Sequence, residues 1–68
     1  MNKDKPLISI VTACLNSEDT IRKTIESVLN QSYDNYEYII KDGGSSDDTV
    51  EIAKGYEDAF GGKLRVIT

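Results

Sequence analysis

The run Tyr36-Glu37-Tyr38-Ile39-Ile40-Lys41, leading into Asp42-Gly43-Gly44-Ser45-Ser46-Asp47-Asp48-Thr49, decides how this chain folds. Aromatic and β-branched residues give its first half the composition of a strand. A carboxylate closes that strand, a glycine pair turns the chain, and a Ser/Asp cluster with helix-capping oxygens opens the next element. Strand-to-helix corners of this kind lie at the carboxyl edge of a parallel sheet, where open α/β folds take their ligands.

The flanking sequence reads as the rest of such a sheet. Upstream, Leu7-Ile8-Ser9-Ile10-Val11-Thr12-Ala13-Cys14 is β-branched and nearly continuously apolar, the pattern of a strand covered on both faces. Asn16, Ser17, Glu18 and Asp19 then offer capping oxygens and first-turn carboxylates, and Ile21, Ile25, Val28 and Leu29 recur at helical spacing. A helix is expected from Glu18 to Asn30. After the corner, Asp48 and Glu51 have capping-box spacing, and Ile52, Ala53, Tyr56, Ala59 and Phe60 share one face of a second helix that Gly61-Gly62 ends. Gly55 weakens that helix by roughly 1 kcal/mol relative to alanine. Lys63 to Thr68 reads as a third strand.

The order is therefore βαβαβ. Helical crossovers between parallel strands are right-handed, which gives a half-Rossmann layer with a three-stranded parallel sheet of order 3-2-1. Residues 1–6 form a polar leader and residues 7–68 the folded unit. The carboxyl ends of the strands gather Thr12, Ala13, Cys14, Leu15 and Asn16 with Asp42, Gly43, Gly44 and Ser45 along one rim. This topology leaves the most apolar strand, Leu7 to Ala13, at an open edge. Either a longer domain supplies the next strand, or copies self-associate through residues 7–13.

Composition narrows the partners. The 68 residues carry 12 acidic and 8 basic side chains, a net charge of −4, with the basic residues scattered from Lys3 to Arg65. Nucleic-acid binding by phosphate neutralisation is not expected. Hydrophobic residues at 38% and charged residues at 29% fit a soluble globular protein. Cys14 has no internal disulfide partner and reads as a small buried residue in a reducing compartment such as the cytoplasm. No histidine is present to activate it as a nucleophile.

The corner excludes several ligand chemistries. Neither G-x-x-x-x-G-K-[ST] nor G-x-G-x-x-G occurs, and nearby carboxylates repel a bare pyrophosphate. A calcium loop starting at Asp42 would place Asp47 where the glycine belongs and Ala53 where the bidentate glutamate belongs. Magnesium shared by Asp42 and Asp47 with substrate phosphates stays open. Asp42 is suited to accept a nucleobase N–H or a ribose hydroxyl beside the glycine turn, and equally suited to cap that turn from within.

Three segments taken together resemble the start of a family 2 glycosyltransferase of GT-A fold: Ile8 to Asn16, Ser27-Val28-Leu29-Asn30-Gln31-Ser32-Tyr33, and Tyr38 to Thr49. The likeness runs from Leu7 to Thr68. It implies the nucleotide-binding part of an incomplete GT-A domain. The implied parent is a metal-dependent inverting enzyme, using Mg or Mn, that moves a hexosyl group from a nucleotide-sugar donor, usually a UDP-sugar, to a saccharide or lipid-linked acceptor. Bacterial surface polysaccharide synthesis at the inner face of the membrane is the implied setting. The resemblance assigns nucleotide contacts to Thr12, Ala13, Cys14, Leu15, Asn16, Asp42, Gly43, Gly44 and Ser45. It implies that the metal-binding D-x-D motif and the catalytic base lie beyond the third strand, and no D-x-D occurs in this chain. Family members often carry Pro or Thr at the position of Ala13, Tyr at that of Leu15, Asp at that of Gly43 and Gly at that of Asp48. Two other readings are a non-catalytic, self-associating α/β module and a dinucleotide-binding half-domain, the latter short of its glycine fingerprint.

Overall fold

The computed structural model describes residues 6–68. The polar leader therefore lies, apart from Pro6, outside the described residues. The elements are β1 (Ile8–Cys14), α1 (Ile21–Leu29), β2 (Tyr36–Asp42), α2 (Thr49–Lys54), a 3₁₀ turn (Asp58–Phe60) and β3 (Leu64–Ile67). Both strand pairings are parallel, and β2 lies between β1 and β3. The chain is thus an α/β layer with the expected 3-2-1 sheet, consistent with the half-Rossmann region of a GT-A domain.

Alternation along β2 decides where the core sits. Tyr36, Tyr38, Ile40 and Asp42 are buried, whereas Glu37, Ile39 and Lys41 face the other way and stay partly or fully exposed. The two helices touch one another, and Ile21 and Ile25 of α1 join Ala53 of α2, Phe60 and Leu64 in one cluster with the buried tyrosines and Ile40. Both helices consequently cover the same sheet face. Register carries this division to the neighbouring strands: Ile8, Ile10, Thr12 and Cys14 align with the buried positions of β2, and Ser9, Val11 and Ala13 with its open positions. Burying an aliphatic or aromatic side chain of this size stabilises by about 1.5–3 kcal/mol, so a handful of residues carries much of the stability of a unit this small.

β1 departs from its expected double cover. Leu7 is 62% exposed and Val11 60% exposed, because β1 is an edge strand whose odd-numbered side chains have no layer above them among the described residues. The apolar run instead marks a strand with an unoccupied side.

The helices also differ from expectation at their ends. α1 begins at Ile21 rather than Glu18, since Ser17 to Thr20 form a separate turn in which the Thr20 and Ile21 amides donate to the Ser17 carbonyl at 2.9 and 2.8 Å. The polar groups of Asn16 and Glu18 do not cap α1; they reach across to the next loop. α2 ends at Lys54, with Gly55 as its cap, and does not continue to Phe60. The break at Gly55 lets the chain re-aim Phe60, whose ring meets Tyr38 at 5.5 Å and Tyr36 edge-on at 6.4 Å. Ala59, expected on the buried face, is exposed as a result. Gly61, at φ 60°, closes the 3₁₀ turn in the left-handed region that glycine reaches without a Cβ clash.

Among the described residues, no helix is long and apolar enough to cross a membrane.

Candidate functional site

The rim at the carboxyl end of the sheet is built by the loops after β1 and β2. Their first contact extends the strand ladder: Gly43 N–H donates to the Cys14 carbonyl at 2.9 Å, one residue past the last paired positions, Cys14 and Asp42. Thr12 to Asn16 and Asp42 to Ser45 are thereby held side by side, as their places in the sequence require.

Asp42 faces inward. Its side chain is only 5% exposed. One oxygen accepts the amides of Gly44 and Ser45 at 2.9 and 2.7 Å, and the other accepts the Ser45 hydroxyl and, at 3.7 Å, the Cys14 thiol. Such an Asx-type turn explains why a carboxylate sits at the strand end: it collects donors that the glycine turn would otherwise leave unpaired. The Ser45 hydroxyl and amide, then the Gly44 amide and the Cys14 thiol, hold this carboxyl below the ordinary range against the opposing effect of burial. The Cys14 thiol is pushed up, first by burial, then by the Asp42 charge and by its own hydrogen bond to that charge, with a smaller effect from Asp47.

Sequence reasoning did not anticipate how tightly the two loops are sewn together. Asn16 donates its amide to the Ser45 hydroxyl at 2.8 Å, and its Oδ1 accepts the Ser46 amide at 2.8 Å. Glu18 donates its amide to Asp47 Oδ2 at 3.2 Å and accepts the Asp48 amide on Oε1 at 3.0 Å. Ser17 N–H donates to the hydroxyl of Thr49, which is fully buried. The Asn16 and Glu18 clasps are reciprocal: one loop's side chain takes the other loop's backbone donor, and the reverse. Asp47, rather than Asp48, also bonds the Thr49 amide at the start of α2. The Thr49 hydroxyl and amide and the Glu18 amide lower the Asp47 pKa against its partial burial. The only visible signal was the density of Ser, Thr, Asn and Asp behind each strand, which reads equally well as two independent caps.

The candidate residues thus occupy distinct places. Thr12 points to the helix side and pairs its hydroxyl with Tyr38 at 2.7 Å. Ala13 is exposed on the open face, and Cys14 lies against Asp42. Leu15, 57% exposed, borders Gly43, where an added Cβ would stand 3.8 Å from the leucine Cδ1. Asn16 adopts φ 49°, a left-handed conformation that asparagine tolerates better than most residues. Gly44, at φ 103°, needs to be glycine; Gly43 has no positive φ, and a Cβ there would make ordinary contacts.

These residues do not fit a metal site. The oxygens of Asp42 and Asp47 are taken up by the corner's own N–H and O–H groups, and among the described residues no trio of His, Cys, Asp or Glu is gathered for a cation. What the rim offers is an edge with Leu15 exposed beside a glycine turn and the Asp42 carboxylate turned inward. That edge suits an uncharged planar or polyhydroxylated group better than a phosphate.

Comparison with known proteins assigns this chain to a family. The chain is 39% identical over 62 residues to the putative glycosyltransferase EpsE of Bacillus subtilis (strain 168), covering 91% of this chain and 22% of that protein. Over 53 residues it is 47% identical to the Escherichia coli UDP-Glc:alpha-D-GlcNAc-diphosphoundecaprenol beta-1,3-glucosyltransferase WfaP, covering 78% of this chain and 21% of that enzyme. A third relative is the putative teichuronic acid biosynthesis glycosyltransferase TuaG of B. subtilis, 44% identical over 57 residues, with 84% of this chain and 23% of that protein aligned. The chain therefore spans about a fifth of the length of these relatives. The model of the family described as Glycosyl transferase family 2 matches residues 9–68, which takes in all of β1 but Ile8, the other two strands, both helices and both rim loops, and the chain belongs to that family.

Proposed function

We propose that residues 7–68 form the nucleoside-binding part of a nucleotide-sugar-dependent glycosyltransferase. The donor in this reading is a UDP-sugar, and the parent enzyme transfers its hexosyl group with inversion to a saccharide or lipid-linked acceptor in bacterial surface polysaccharide synthesis. The names of WfaP and TuaG support the donor class and the biosynthetic setting. The observation that carries the reading is the junction of Thr12 to Asn16 with Asp42 to Ser45 at the ligand edge of a parallel sheet. Leu15 and the Gly43-Gly44 turn present the surface for base and ribose. Asp42 contributes chiefly by shaping that turn, because its oxygens are already partnered.

Transfer chemistry and the Mg²⁺ or Mn²⁺ expected of the parent require groups other than those gathered here. A bound cation would screen the donor's diphosphate, and its ligands belong to a D-x-D segment that this sequence does not contain. The enzyme would work on the cytoplasmic side, at the inner face of the membrane.

Calorimetric titration with UDP and UDP-glucose tests the proposal, on this chain and on the longer parent. Saturable binding by the parent, weakened in Asp42→Ala and Leu15→Asp variants, is the expected result. A parent that binds neither ligand with Mg²⁺ or Mn²⁺ present overturns it.

A further inference from the structure

The two rim loops meet through a pair of hydrogen-bond relays of the same form. The Asn16 amide donates to the Ser45 hydroxyl at 2.8 Å, and that hydroxyl donates to Asp42 Oδ1. One residue further on, the Ser17 amide donates to the Thr49 hydroxyl at 2.7 Å, and that hydroxyl donates to Asp47 Oδ1. Consecutive amides of the first loop are thus tied, each through a hydroxyl, to carboxylates of the corner after β2. Both amides follow directly on Leu15.

The second relay runs through the interior. Thr49 opens α2 and is completely buried. Valine is β-branched like threonine, so packing alone does not call for a hydroxyl there, and a buried hydroxyl costs stability unless it is bonded. The helix does not use it either. Asp47 takes the Thr49 amide at the start of α2, and both bonds of the hydroxyl lead out of the helix, one to Ser17 across the junction and one to Asp47. Asp47 in turn accepts the Glu18 amide, while Glu18 Oε1 accepts the Asp48 amide. Neither helix receives a side-chain cap at its capping position, although capping oxygens stand beside both. Those oxygens are committed to joining the loops instead. At the end of the joined segment Leu15 is exposed, with its Cδ1 3.8 Å from where a Cβ on Gly43 would stand.

We propose that Thr49 is a positioning residue for donor binding. Its hydroxyl, with the Asp47–Glu18 clasp, sets where Leu15 stands against the Gly43-Gly44 turn and thereby sets the affinity for the nucleoside. Being buried, the Thr49 side chain acts through the loops and not by contact with the ligand. The inference rests on the nucleoside-binding reading of the rim.

Calorimetric titration of the longer parent with UDP, Mg²⁺ present, reads the dissociation constant and the stoichiometry separately. Thr49→Val removes the hydroxyl and should raise the dissociation constant about tenfold or more at unchanged stoichiometry, because small misplacements of a binding group are costly. Thr49→Ser restores the hydroxyl and should recover most of that loss. A role confined to stability would lower the stoichiometry and the unfolding midpoint while leaving the dissociation constant of the folded molecules unchanged, and that result overturns the proposal. Should Thr49→Val fail to fold, the exposed Glu18 supplies a second comparison. Glu18→Ala should weaken binding and Glu18→Gln, which keeps an oxygen acceptor, should not; equal affinity in the two overturns the proposal. A parent that binds no UDP overturns the nucleoside reading and this inference with it, whereas UDP binding that Thr49→Val leaves unchanged overturns this inference alone.

Discussion

The Asn16 side chain accepts the Ser46 amide at 2.8 Å while its own backbone, at φ 49°, donates to the Ser45 hydroxyl. A single residue thus bridges the loops after β1 and β2 through both side chain and main chain. Its unusual conformation and its acceptor are separable. Asn16→Gly keeps the first and loses the second, whereas Asn16→Ala loses the acceptor and puts a Cβ where φ is positive. Asn16→Ala should destabilise by about 1–3 kcal/mol, and Asn16→Gly by less. Urea unfolding of the two variants, compared at equal slope, checks the order.

The glycine pair makes a similar contrast. Gly44→Ala forces a side chain into φ 103° and should destabilise by about 1–3 kcal/mol. Gly43→Ala, whose Cβ would make ordinary contacts at 3.7 Å and beyond, should stay within about 0.5 kcal/mol of the parent sequence. Equal losses at the two positions would contradict this account of the corner.

Acid should loosen the rim. The folded chain holds the Asp42 and Asp47 carboxyls below their ordinary value, so protons bind the unfolded chain first as pH falls. Their contribution to stability is complete above the unfolded carboxyl range, near about pH 4, and is lost as pH drops through the lower folded values. Unfolding midpoints measured from neutral pH downward should fall in that acid window. Asp42→Asn should flatten part of the fall.

Cys14 should be a slow thiol. Burial and the Asp42 charge push its pKa up, so at mildly alkaline pH it holds less of the reactive thiolate than a free cysteine does. Alkylation by iodoacetamide is expected to run slower than for a small-molecule thiol, and Asp42→Asn should quicken it. Quickening without loss of secondary structure would separate the charge effect from simple unmasking.

Core truncation sets the scale for these effects. Ile25 is fully buried between α1 and the sheet, and Ile25→Ala should cost about 2–5 kcal/mol, enough to unfold most molecules of a unit this small. The check is loss of the cooperative thermal transition.

Much of this was legible beforehand, for identifiable reasons. The alternation of Tyr36, Tyr38 and Ile40 with Glu37 and Lys41 announces β2, and the helical spacing of Ile21 and Ile25 announces the buried face of α1. Element order then leaves little freedom in the sheet, because parallel strands need right-handed crossovers. The loop ends were less legible. Asn16, Glu18 and Asp47 have the chemistry of helix caps, and sequence cannot say whether such an oxygen takes its own helix's amide or one about thirty residues away. The length of α2 was misread for a related reason. Gly55 exacts a modest local penalty in a helix, and what decides the break is the distant demand that Phe60 fill the space beside the two tyrosines.

The parallel ladder also governs how the chain acquires its shape. Cys14 and Asp42 end adjacent yet stand 28 residues apart, so pairing β1 with β2 requires closing a long loop before any ladder contact offsets its entropy. β2 is the strand bonded on both sides, and neither neighbour has a template until it is in position. Kinetically, that makes Tyr38 and Ile40 candidates for the folding nucleus and leaves the apolar β1 waiting, unpaired, in whatever precedes the native state.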